Sequence, residues 1–274
     1  PAGGSATINL TGAYDYSSNP TSGVYYYDSN LADWWQYTYN VASGQKVFIY
    51  INGDYTVGMP ITGAGDVTIY ATGNITVHKN ISGNNVNLYA GKVITLSQNT
   101  ISGNKITLQS AGDFYISGGN VAANTGGTVD IISGNNLDMG AGSVVGSVVT
   151  MKAKTASDGK NSSSGLHGVN INAGYPTNKT YIYVDGNVNM ASGTVGGLSM
   201  IVSMGSVNLH GTQSSAIIIA NEDIEAAAGS SGGLYANGSI YIHGANVAYS
   251  SSDFSKLVTE TSTTAFSIDS WGTP

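Results

Sequence analysis

Along most of this chain, short apolar-x-apolar triplets follow a Gly, Asn or Lys at a regular spacing. The phrase reads Gly65-Asp66-Val67-Thr68-Ile69, then Gly73-Asn74-Ile75-Thr76-Val77, then Asn84-Asn85-Val86-Asn87-Leu88. It returns at Lys92-Val93-Ile94-Thr95-Leu96, Asn104-Lys105-Ile106-Thr107-Leu108 and Gly112-Asp113-Phe114-Tyr115-Ile116. Gly127-Thr128-Val129-Asp130-Ile131 and Asn135-Asn136-Leu137-Asp138-Met139 continue the series. Every second triplet begins at position 67, 86, 106, 129, 149 or 169, and the intervening set at 75, 94, 114 and 137. Both sets advance by about 20 residues.

Alternation at period two points Val67 and Ile69 to one side and Thr68 to the other. Each period therefore holds two short strands joined by a tight corner, plus a longer third side. That is one coil of a parallel β-helix. A β-sandwich has turns at similar spacing but gives no reason for alternating steps to keep a constant sum. The expected fold is all-β: a single-stranded, right-handed parallel β-helix with capped ends. Val67, Val86, Ile106, Val129 and Val149 should form one interior column, each burial contributing roughly 1.5–3 kcal/mol.

Later the pattern loosens without disappearing. Val188, Val207, Ile224 and Ile240 still open corner-plus-strand phrases, at separations of 19, 17 and 16 residues. The polar, Ser-rich stretch 152–165 reads as a loop bulging from one coil. Open coil ends expose core and strand edges and need covers. The expected organisation is thus an aromatic-rich N-terminal cap over 1–45, the helix over 46–250 and a C-terminal cap over 251–274, where Ser252–Leu257 could start a short helix.

Composition narrows the function classes. Charged residues make up 9 % and hydrophobic residues 41 %, with 38 Gly and no Cys. The hydrophobic share and its regular spacing argue against disorder. A net charge of -7 disfavours nucleic acid and anionic membrane surfaces, both of which need a cationic footprint. No apolar run is long enough to span a membrane. Low charge and abundant Tyr, Asn, Ser and Thr favour a secreted or cell-surface location, and Pro1-Ala2-Gly3-Gly4 has the look of a processed or truncated start.

The Gly-Asn-Ile-Thr-Val and Gly-Asn-Asn-Val-Asn-Leu phrases resemble the repeats of filamentous-haemagglutinin-like adhesins, over about residues 60–150 and more weakly 185–250. That resemblance implies an exported β-helix that mediates attachment or competition at a bacterial surface. The Asn-Pro-Asn motifs of that family's secretion domain are not found; Asn19-Pro20 is the only Asn-Pro. A charge-poor β-helix beside an aromatic-rich region is also similar to the tāpirins, which attach cells to cellulose.

Aromatic residues are the densest candidate chemistry. Tyr25, Tyr26, Tyr27, Trp34, Trp35 and Tyr37 crowd the N-terminal region, with Tyr14, Tyr16 and Tyr39 close by. Rings on a rigid surface bury the apolar patches of sugars while Tyr hydroxyls and Trp N–H groups bond to sugar hydroxyls. The same residues could equally plug the first coil. Tyr70 and Tyr89 occupy equivalent repeat positions and should stack outward on adjacent coils; Tyr115 and Tyr183 also read as outward. These ten residues, Tyr25 to Tyr37 as named and Tyr70, Tyr89, Tyr115 and Tyr183, are the candidate carbohydrate-binding set.

Enzymatic readings find less support. A β-helical lyase needs a strong base beside Ca²⁺-binding carboxylates, and a hydrolase needs clustered acids. Arg is absent, and Asp130 and Asp138, though on one coil, lie around a corner from each other. His78, His167, His210 and His243 lack metal-ligand spacing, so no metal or other cofactor is expected. Sequons at Asn9, Asn74, Asn80 and Asn237 are chance products of an Asn- and Thr-rich chain. Outward Thr68, Thr76, Thr95 and Thr107 suggest an ice-binding lattice, but Asn87, Tyr115, Asp130 and Asp138 interrupt it. The expected function is a non-enzymatic extracellular adhesin or binding module for a polysaccharide, cellulose among the candidates, or for another solid surface. A self-associating protomer of a filament, sheath or surface layer is the alternative, and a polysaccharide lyase the third reading.

Overall fold

A computed structural model describes residues 7–9, 23–27, 30–32, 38–157, 165–210, 213–214, 216–227 and 233–243. Among them there is no helix; short strands stack in parallel as a β-solenoid of about ten turns with about 20 residues per coil. Each coil has three sides. The long face is built from six-residue strands such as Lys46–Ile51, Asp66–Ala71 and Asn85–Ala90. It continues through Val148–Ala153, Lys179–Val184 and Leu198–Ser203 to Ile217–Ala220 and Gly233–Ala236. A short face precedes it, as in Tyr39–Val41 and Ile61–Gly63. A third face follows it, as in Tyr55–Val57, Ile75–Val77 and Ile94–Ser97.

The expected interior column is present. Val47, Val67, Val86, Ile106, Val129 and Val149 are register partners from coil to coil, and each is buried. Beside it runs Ile49, Ile69, Leu88, Leu108, Ile131, Met151 and Ile182. On the third face Ile75, Ile94, Phe114 and Leu137 align; further on, so do Val188, Val207, Ile224 and Ile240. The unequal separations of that last set are therefore coils of unequal length in true register.

Two expectations change. Val169 does not continue the first column, because it pairs with Gly142 on the short face. The column passes from Val149 to Thr180, a step of 31 residues. The extra length holds the polar stretch 158–164, outside the described residues, and a turn at 172–178. Buried Asn172 pins that turn at φ 47°. Its Oδ1 accepts from the Gly146 N–H at 3.0 Å, and its Nδ2 donates to Thr180 Oγ1 at 3.0 Å, which satisfies the polar side chain now inside the coil. The second change concerns the start of the solenoid. Gly23–Tyr27 pairs in parallel with Lys46–Ile51, and Thr7–Asn9 with Gly23–Tyr27, so coil stacking already operates within the segment expected to be a separate cap. The C-terminal cap and its short helix lie outside the described residues.

Corners are closed by side chains as well as glycine. A chain turning between faces presents N–H groups that the strand ladder does not reach, and Asn or Asp oxygens in the preceding coil accept them. Asp54 N–H donates to Asn30 Oδ1 at 2.8 Å and Asn74 N–H to Asp54 Oδ1 at 2.7 Å. Asn187 and Asp223 do the same for Ser206 N–H at 2.9 Å and Ser239 N–H at 2.7 Å. Such carboxylates are spent on the scaffold.

Candidate functional site

The outward positions of the long face form columns as regular as the interior ones. One column reads Tyr26, Tyr50, Tyr70, Tyr89, Gln109, Ile132, Lys152, Tyr183, Val202, Ile219, Tyr235. The next column inward from the strand ends begins Phe48, Thr68, Asn87, Thr107, Asp130 and Thr150. In its N-terminal part the face is therefore an aromatic strip beside a hydroxyl and amide strip. Asn87 Nδ2 donates to Thr68 Oγ1 at 3.2 Å, holding that second strip in place.

Three of the tyrosines stack. Ring centroids of Tyr26 and Tyr50 lie 5.1 Å apart at 11°, and those of Tyr50 and Tyr70 lie 5.2 Å apart at 10°. The spacing matches the repeat of neighbouring strands, about 4.8 Å, because one ring comes from each coil. Stacking along the axis turns the faces of Tyr50 toward its two neighbours and leaves edges and hydroxyls on the outside. Tyr89 follows Tyr70 in register on the next coil, at the equivalent outward position expected of it, and the ring stack itself is Tyr26–Tyr50–Tyr70. Tyr50 and Phe48 were missed by sequence reasoning. Counting the 20-residue period back from Tyr70 and Thr68 would have found both.

Other candidates separate. Tyr25 and Tyr27 are register partners of the inward Ile49 and Ile51, and Tyr25 is 4 % exposed with its ring edge-on to Tyr39 at 6.3 Å. Tyr25 is thus a core residue with no ring face left for a ligand, and Tyr27 is half-buried against the core. Trp34, Trp35 and Tyr37 lie outside the described residues. Tyr183 has an outward register but is only 6 % exposed, and burial, with a smaller contribution from Tyr181, pushes its hydroxyl up to about 12. Tyr115 stands on the third face, between Thr95 and Asp138. Its hydroxyl donates to Asp113 Oδ2 at 2.8 Å. That hydrogen bond, then burial and the charges of Asp113 and Asp138, push it up to about 12. Burial alone would raise Asp113, but bonds from Asn136 N–H, the Tyr115 hydroxyl and the Asn135 amide outweigh it and hold the carboxyl below its usual value.

Asp130 and Asp138 occupy different faces, as their positions around a corner implied. Beyond Asp138 lies His167, with Nδ1 3.3 Å from Asp138 Oδ1, an ion pair only when the imidazole is protonated. Sequence spacing hid this pair because the long coil between them breaks the 20-residue count. Thr68 and Thr107 stand on the long face, whereas Thr56, Thr76 and Thr95 line the third face, so the threonines form no common lattice.

A groove runs along the corner where the short face meets the long face. It encloses about 430 Å³ and crosses several coils, with Ser43, Gln45 and Lys46 at one end and Asn84, Asn104 and Asn124 along its length. Glycines make it concave. At Gly63 φ is 130°, a conformation that side chains avoid, and a Cβ on Gly83 would come within 2.8 Å of Gly65 O. Compared with known proteins, the chain matches no family model, no curated protein and no solved structure.

Proposed function

We propose that this protein is a non-enzymatic, extracellular binding module whose stiff solenoid presents the N-terminal part of its long face to a polysaccharide or similar surface. One observation carries the reading: Tyr26, Tyr50, Tyr70 and Tyr89 form a register-locked outward strip beside Phe48, Thr68 and Asn87. Because every position is fixed by its neighbours in the coils above and below, little ordering cost remains when a flat ligand settles on it. Hydroxyl edges of the stacked rings can bond to sugar hydroxyls, and Phe48 supplies apolar contact. The carboxylates at Asp54, Asp66, Asp113 and Asp223 accept structural hydrogen bonds, which favours a scaffold over an acid–base catalyst. A secreted or surface-displayed adhesin of the filamentous-haemagglutinin-like kind, or a cellulose-attaching one like the tāpirins, fits this face. Sedimentation with insoluble cellulose, chitin and mannan tests it: retention that persists in high salt is expected, and no retention on any glycan refutes it.

A second reading has its own observation. Toward the C-terminal end the outward column turns apolar, with Ile219 37 % and Tyr235 40 % exposed. Apolar faces of this kind suit packing between protomers of a filament or surface layer. Light scattering that rises with protein concentration, without glycan retention, would favour it.

A further inference from the structure

From the corner groove we infer a second binding site, specific for an uncharged glycan chain lying parallel to the solenoid axis; the inference rests on the polysaccharide-binding reading above and names a subsite of it. Its core is an amide ladder. Asn84 Nδ2 donates to Asp66 Oδ1 at 2.9 Å, Asn104 Nδ2 to Asn84 Oδ1 at 2.7 Å and Asn124 Nδ2 to Asn104 Oδ1 at 2.7 Å.

The direction of this ladder is determined by Asp66. An ionised carboxylate can only accept, so it must stand at the accepting end, and every amide after it is oriented the same way. Asp66 Oδ1 also accepts from the Asn85 N–H at 3.3 Å and from Asn85 Nδ2 at 2.7 Å. Three donors thus converge on that one oxygen, which anchors the ladder at the groove's Asp66 end.

Each carboxamide has two N–H groups and an oxygen with two lone pairs. The ladder uses one N–H and one lone pair of Asn84 and of Asn104, which leaves one donor and one acceptor on each rung. Rungs repeat every coil, about 4.8 Å, so the line from Asp66 to Asn124 extends about 14 Å along the axis. A periodic row of paired neutral donors and acceptors is matched by a chain of sugar hydroxyls, since each hydroxyl both donates and accepts. Gln45 adds to the site in a fixed sense: its Oε1 accepts from the Ala42 N–H at 2.7 Å, so its Nε2 is left to donate.

The groove also sits where a long ligand could reach the tyrosine strip. Lys46 borders the groove and Tyr50 lies four residues further along the same strand, a separation of about 13 Å across the face. Amide rungs would hold hydroxyls on one margin, and the aromatic strip would carry a neighbouring chain on the other. Volume is consistent, because small-ligand clefts run from about 300 to 1,000 Å³.

The test uses the full chain and its binding to soluble neutral glucan, mannan and galactan oligosaccharides, with polygalacturonate as an anionic competitor. Asn104→Leu interrupts the ladder, and Ser43→Trp fills the exposed end of the groove while leaving the ladder intact. Both variants should bind a neutral glycan about tenfold more weakly or worse, with the Ser43→Trp melting temperature unchanged. If Asn104→Leu fails to fold, Ser43→Trp decides alone. Wild-type binding that both folded variants keep within about twofold overturns the groove and leaves the tyrosine face standing. No wild-type binding to any neutral glycan overturns both. Preferential, salt-sensitive capture of polygalacturonate overturns the assignment to an uncharged ligand.

Discussion

The long face changes character between its two ends while its backbone does not. In the N-terminal part the interior column is wholly aliphatic, from Val47 to Val149, and the outward columns carry Tyr, Thr, Asn and Lys. In the C-terminal part Thr180 and Ser199 occupy that interior column and are fully buried. Met200, Val202 and Ile219 face outward there, and Ile217 takes an outward register but is buried. Both parts keep parallel register, although the coil length varies across the long coil and beyond it. The comparison teaches that backbone pairing and one continuous aliphatic column are enough to propagate the coil, while the outward columns are free to carry function.

The contrast can be broken first at the core. Leu108, fully buried, should lose about 2–5 kcal/mol of stability on Leu108→Ala. The outward Ile219 should lose less than about 1 kcal/mol on Ile219→Ala. Chemical denaturation measures both; equal losses would mean that the C-terminal face is as much core as the N-terminal interior.

Next comes the polar interior of the C-terminal part. Asn172→Ala removes the acceptor for Gly146 N–H and the donor to Thr180 Oγ1. It should cost about 1–3 kcal/mol for the buried groups left unpaired. The double variant Asn172→Ala with Thr180→Val should recover part of that loss, because it also removes the orphaned hydroxyl.

A smaller effect is expected on the aromatic strip. Tyr50→Leu breaks two ring contacts and should cost about 1–2 kcal/mol, read by chemical denaturation.

The smallest effect is read in alkaline solution. Tyr115 and Tyr183 are both pushed up to about 12, the first chiefly by its bond to Asp113 and the second chiefly by burial. A raised folded pKa stabilises the fold fully below the unfolded value near 10 and loses that contribution as pH climbs through about 12. Phenolate absorbance should therefore include late-titrating contributions from Tyr115 and Tyr183. Asp113→Asn should bring Tyr115 down and leave Tyr183 where it is.

Legibility in the sequence followed the same divide. Where apolar residues point in and polar ones out, the period of about 20 residues places Val67, Val86, Ile106, Val129 and Val149 correctly. Past the long coil the alternation weakens, since Thr180 goes in and Met200 goes out, and the count slips onto Val169. The site was less legible than the fold. Tyr25 and Tyr27 look like surface aromatics by density, but register with Ile49 and Ile51 puts them inside. Tyr50 was readable in principle, one period before Tyr70. In the amide ladder, Asn84 and Asn104 were visible as corner residues and Asn124 was not, and only the three-dimensional coil shows that their side chains meet.

Hydroxyl-radical footprinting of the full chain, with and without a retained glycan, addresses the central claim most directly. The account predicts protection concentrated at Tyr50, Tyr70 and Tyr89, with Met200, Ile219 and Tyr235 unchanged. Protection confined to the C-terminal residues would contradict it.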